Sequence, residues 1–94
     1  MKPIYFVTAI ASKERAYRSR CWAWYPNLLG ASKAALRNDG DMHELTYDYL
    51  VIEKLSSGVM QIAEQVKWYH WVKGAWKLCD TPKFSKSIVN WCIG

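Results

Sequence analysis

The sequence predicts one α+β domain, an antiparallel sheet of four to five strands with one helix packed on one face, in the order β-β-α-β-β-β. Three observations predict it. Five stretches are rich in aromatic and β-branched residues, and some alternate strictly. The stretch after Pro26-Asn27 repeats its apolar residues at helical spacing, and Lys73-Gly74 joins two extended runs as a tight hairpin. At 94 residues the chain, 1–94, is a single domain without room for a second core. Six tryptophans and six tyrosines offer that core large burial, about 150 to 250 Å² for each aromatic ring.

Residues Ile4 to Ala11 are apolar in both alternating sets, as expected of a central strand covered on both faces. Ser12 to Arg20 is polar and basic, holding Lys13, Arg15, Arg18 and Arg20 around Tyr17, and reads as a long connection into an aromatic strand from Cys21 to Tyr25. Asn27 caps a helix whose Leu28, Ala31 and Ala35 share a face, with Lys33 and Arg37 opposite and Asn38-Asp39-Gly40 as the stop, where Gly40 is free to turn left-handed. Gly30 costs this helix about 1 kcal/mol relative to alanine, which marks either close packing on the sheet or an imperfect helix start.

After an acidic connection from Asp41 to Thr46, the strand Tyr47 to Leu55 alternates Tyr47, Tyr49 and Val51 against Leu50 and Ile52. Ser56-Ser57-Gly58 turns the chain. Val59 to Val72 then runs extended, with Val66, Trp68, His70 and Val72 alternating against Lys67, Tyr69 and Trp71, and Ala75 to Cys79 returns as its hairpin partner. The tail from Thr81-Pro82 is a short helical turn or an edge strand. One helix of ~10 residues, about 15 Å long, covers one face of such a sheet. Part of the set Trp22, Trp24, Tyr47, Tyr49, Trp68, Tyr69, Trp71 and Trp76 is therefore expected on an uncovered face that forms a homodimer or binds a partner.

Thirteen Lys and Arg against eight Asp and Glu give net +5, a balance that serves solubility and also favours nucleic acid, nucleotides or acidic protein surfaces. Cys21, Cys79 and Cys92 are odd in number and form no C-x-x-C pair, which points to a reduced chain and leaves open whether two of them bond. The apolar start is interrupted by Tyr5 and Thr8 and is too short for a secretory signal, and no run approaches the ~18 apolar residues of a membrane helix. A cytoplasmic protein without a membrane partner is expected.

The densest chemical feature is the hairpin bearing Trp68, Tyr69, His70, Trp71 and Trp76, with Lys67 and Lys73 among the rings. With Tyr47 and Tyr49 it forms a first candidate binding surface: bases would stack on the rings and phosphates would meet the lysines. The competing reading is a sheet that packs its own core and a dimer partner, and no RNA-binding ribonucleoprotein motif is present. The second candidate is Arg15, Arg18 and Arg20, whose guanidinium forks match phosphate oxygens.

Asp41, His43 and Glu44 cluster after the helix and read as a polar turn, not as a metal site. His70 and Cys79 are placed to face each other across the hairpin as base and nucleophile, but no oxyanion hole or third orienting group is visible. No catalytic residue, metal or cofactor is expected, and the chain is not expected to be an enzyme. Glu53, inside an apolar strand, either pairs with a cross-strand lysine or anchors a polar cleft.

The segments CWAWYPNLLGASKAAL, NDGDMHELTYDYLVIEKLSSGV and WYHW, spread over residues 20–76, resemble small uncharacterised accessory proteins of bacteriophages and prophages. The resemblance implies a non-enzymatic phage protein, in a class that includes anti-CRISPR proteins, acting in the cytoplasm of the bacterial host. It implies inhibition of a defence system by binding one of its components, such as a CRISPR complex. A second reading is an oligomeric sponge for an anionic nucleotide signal, and a third is a small nucleic-acid-binding module.

Overall fold

The computed structural model describes residues 2–13, 17–38, 47–56, 62–88 and 90–93. Five strands, β1 (Ile4–Ala11), β2 (Arg18–Tyr25), β3 (Tyr49–Leu55), β4 (Glu64–Val72) and β5 (Ala75–Cys79), form one sheet in the order β2-β1-β3-β4-β5. Every neighbouring pair is antiparallel. The helix α1 (Leu28–Leu36) follows β2, and two short 3-10 turns, Lys83–Lys86 and Trp91–Ile93, end the described chain. The α+β class and the β-β-α-β-β-β order match the sequence expectation, and β1 is flanked on both sides as its two-sided apolarity requires.

The helix is positioned at both ends. Asn27, in an extended conformation, accepts the Gly30 N–H on its side chain at 2.7 Å. A Cβ on Gly30 would lie 3.2 Å from that same Asn27 oxygen and 3.7 Å from the Tyr25 ring, so glycine leaves room for the cap and the tyrosine. At the other end Asn38 takes the left-handed conformation, with φ 53°, and Gly40, the expected left-handed stop, lies outside the described residues. Its side-chain oxygen accepts the Trp76 indole N–H at 2.9 Å. The helix thus runs from beside Tyr25 on β2 to Trp76 on β5, diagonally across the sheet. On the hairpin, Lys73 and Gly74 both have positive φ, 51° and 81°, the combination a tight turn between twisted strands favours.

Alternation sorts the strands onto two faces. Val7, Ala9, Leu50, Ile52, Tyr69 and Trp76 meet Ala31 and Ala35 of α1 on the first face. The second face carries Ile10, Val51 and Trp68, and here one expectation is overturned: it is not left uncovered. The C-terminal tail crosses it and inserts Trp91 with Phe84 and Ile88. The rings meet edge to face, Trp91 lying 6.1 Å from Trp68 and 5.8 Å from Phe84. Tyr17, at φ 50° before β2, stacks on Phe84 at 5.1 Å. The tail closes through Trp91 Nε1–H and Gln65 Nε2–H, which both donate to the Ser85 carbonyl, at 3.0 and 2.9 Å.

Three further boundaries shift. Strand β4 begins at Glu64 and not at Val59, with Ile62 and Ala63 outside it, and most of the expected Ser56-Ser57-Gly58 turn lies outside the described residues. Strand β2 begins at Arg18 and not at Cys21, because Ala11, Ile10 and Ala9 of the eight-residue β1 pair with Arg18, Ser19 and Arg20. Tyr47 precedes β3, and its ring joins Leu50 and Ile52 on the helix side instead of Tyr49 and Val51. Asp48 locks this entry: its carboxylate accepts the Ser12 backbone N–H at 2.8 Å and the Ser12 hydroxyl, and its carbonyl accepts the Trp71 N–H at 3.0 Å.

Candidate functional site

The aromatic candidates divide by burial. Trp68, Tyr69 and Trp76 are each 2 % exposed and Tyr47 is 6 % exposed, so these four are core residues and offer no ring face to a partner. This corrects the expectation of an exposed aromatic platform. The physical reason is that the tail and α1 take one sheet face each. Tyr49, His70 and Trp71 are half-buried. Tyr49 and His70 pair across β3 and β4 and stack at 4.4 Å with their planes 7° apart, while Trp71 meets Trp76 at 5.1 Å. Burial pushes the Tyr49 hydroxyl up, helped by Cys79 and Asp48, so it remains a hydroxyl at neutral pH.

His70 and Cys79 do not stand opposite each other. The register sets His70 against Lys77 and Cys79 against Trp68. Burial raises the Cys79 thiol, with Asp80 adding to it, which disfavours the thiolate a nucleophile needs. All three cysteines are free. Among the described residues no three His, Cys, Asp or Glu side chains converge on a metal position. Arg15, Asp41, His43 and Glu44 lie outside the described residues.

The basic candidates come together on β2, an edge strand. Arg18 and Arg20 are exposed. Both lie on the helix side of the sheet, since they pair with Ala11 and Ala9, and the Arg18 guanidinium sits 5.0 Å from the centre of the Tyr47 ring. The ladder shifts register between Val7 and Thr8, which leaves Trp22 as the bulged residue, packed against the helix-side core. Its indole Nε1–H is buried without a hydrogen-bond partner among the described residues. Trp24, 60 % exposed, projects from the same strand. Two exposed cations thus share the helix side of one edge strand, suited to anionic ligands, while Trp24, which pairs with Phe6 opposite Glu53, projects from the other face.

The diagonal helix leaves the opposite edge open too. A surface cleft of about 400 Å³ lies between β4 and β5, bordered by Lys67, Leu78 and Asp80. A second, of about 420 Å³, opens beside Ile62, Lys86 and Ile88. Neither gathers more than one cation.

Glu53 neither pairs with a lysine nor reaches a cleft. It is fully buried beneath the tail, and its Oε2 accepts the Trp91 backbone N–H at 2.9 Å. Sequence reasoning missed this contact because it left the tail without packing partners. A signal existed: Phe84, Ile88 and Trp91 are large apolar residues at positions i, i+4 and i+7. Comparison with protein-family models, curated proteins and solved structures finds no match for this chain.

Proposed function

We propose that the chain is a non-enzymatic, phage-derived binding protein that inhibits a bacterial defence system, and that β2 is its recognition surface. The observation that carries the surface is the pair of exposed arginines, Arg18 and Arg20, on one side of an edge strand that also bears Trp24. The host-defence context rests on the resemblance of residues 20–76 to phage and prophage accessory proteins. An acidic patch on a defence complex suits the net charge of +5. A second reading, a small anionic nucleotide signal as the ligand, rests on the same two exposed guanidinium groups, whose forks match phosphate oxygens.

A plaque assay tests both. Expressing the chain in defence-carrying hosts should restore phage plating, and the Arg18→Ala/Arg20→Ala variant should lose that effect while remaining folded. Failure to restore plating on hosts with CRISPR or nucleotide-signalling defences refutes the function. Full activity of the double variant refutes the surface. A rise in Tm with cyclic or linear nucleotides selects the nucleotide reading, and co-purification with a defence protein without that rise selects the complex.

A further inference from the structure

The tail that covers the second face ends on a carboxyl group. Glu53 is 0 % exposed, with Oε2 accepting the Trp91 N–H, the Cys92 N–H and thiol beside the carboxyl, and no well-formed bond to Oε1 among the described residues. Groups from every neighbouring element face it. From β1 come Phe6, opposite Glu53 in the register, and Thr8 two positions on, whose hydroxyl lies beside the Cys21 thiol. From β2 comes Cys21, which pairs with Thr8, and from β4 comes Gln65, opposite Glu53 in the register. The tail supplies Trp91 and Cys92. None of these is a cation. An ionised carboxylate here would be a buried charge with no counter-ion among the described residues, which a low-dielectric interior strongly disfavours.

We propose that Glu53 is a proton-operated latch: the protonated carboxyl keeps the Trp91–Ile93 turn docked, and loss of the proton releases the C-terminal tail from the second sheet face. Protonation gives the group an O–H donor while Oε2 still accepts from Trp91. Burial raises the Glu53 pKa above the ordinary 4.5, opposed by hydrogen bonds from Trp91 and Cys92. A carboxyl raised in the folded state contributes stability that is complete below 4.5 and is lost as pH climbs through the folded value. The neighbouring thiols do not titrate in that window. Burial, then Glu53 and Cys21, pushes Cys92 up to about 12, and burial raises Cys21. Release bares Ile10, Val51 and Trp68, so the aromatic face that the resting fold hides becomes available at higher pH.

The test follows amide exchange at Trp91 and Cys92 by NMR between about pH 5 and about pH 9, corrected for intrinsic rates, with the Glu53 Cδ resonance titrated in the same samples. Protection in the native chain should fall about tenfold for each unit of pH between the ordinary 4.5 and the Cδ midpoint, and level off above that midpoint. Glu53→Gln keeps an acceptor for Trp91 and cannot ionise, so its tail should stay protected throughout. A Cδ midpoint within the ordinary carboxylate range overturns the proposal. So does pH-independent protection in the native chain, or pH-dependent release that persists in Glu53→Gln. Should that variant not fold, the midpoint and the protection profile of the native chain decide.

Discussion

Replacing Trp91 with alanine asks whether the C-terminal tail is part of the core. The indole is 0 % exposed and packs with Ile10, Val51 and Trp68. It meets Tyr17, Trp68 and Phe84 edge to face at 6.1, 6.1 and 5.8 Å. Truncating a buried tryptophan costs about 3 to 5 kcal/mol. The lost Nε1 hydrogen bond adds little, because the Ser85 carbonyl keeps the Gln65 donor at 2.9 Å. About 4 kcal/mol is therefore expected, a large share of the roughly 5 to 15 kcal/mol that holds a domain folded. With a urea m-value of about 1.5 kcal/mol/M, the unfolding midpoint drops by roughly 3 M. Equilibrium urea denaturation followed by far-UV circular dichroism reads this out. Trp91→Phe, which retains a ring, should lose only about 1 to 2 kcal/mol. A cost below about 1 kcal/mol for Trp91→Ala would falsify the packed tail and leave the second face open.

Two further substitutions probe what frames the sheet. Asp48→Ala removes the carboxylate that accepts both the backbone N–H and the hydroxyl of Ser12, and should cost about 1 to 3 kcal/mol in the same denaturation assay; no change would mean that the β3 entry is held by its backbone bonds alone. Gly74→Ala places a Cβ where φ is 81° with nothing within 4 Å, so strain alone should cost about 1 to 2 kcal/mol, and a neutral result would show that the hairpin readily adopts another turn.

The strands and the helix were legible in residue patterns because each depends on short-range periodicity. Alternation in Trp68-Tyr69-His70-Trp71 assigns neighbours to opposite faces whatever they pack on. Asn27 announces the start of α1 because its side chain bonds an amide three residues on. The exposure of the aromatics was not legible in the same way. Whether Trp68 is a platform or a core residue depends on what lies over it, and that is Phe84, Ile88 and Trp91, contributed by a tail whose apolar spacing fits a helix that never forms. The basic residues illustrate the same division. Composition makes the chain cationic, but Arg18 and Arg20 share one side of an edge strand only because β2 pairs along the full length of β1.

Taken alone, the sequence determined the fold class, the order of elements, the Asn27 cap and the Lys73-Gly74 hairpin, since propensity, capping and periodicity act within a few residues. Tertiary structure decided which aromatic face is hidden, that Glu53 is buried against the Trp91 amide, and that the arginines converge on β2. Each of these is a contact between residues far apart in the chain, such as the 38 positions separating Glu53 from Trp91, and no local pattern encodes the partner that closure of the fold brings to a side chain.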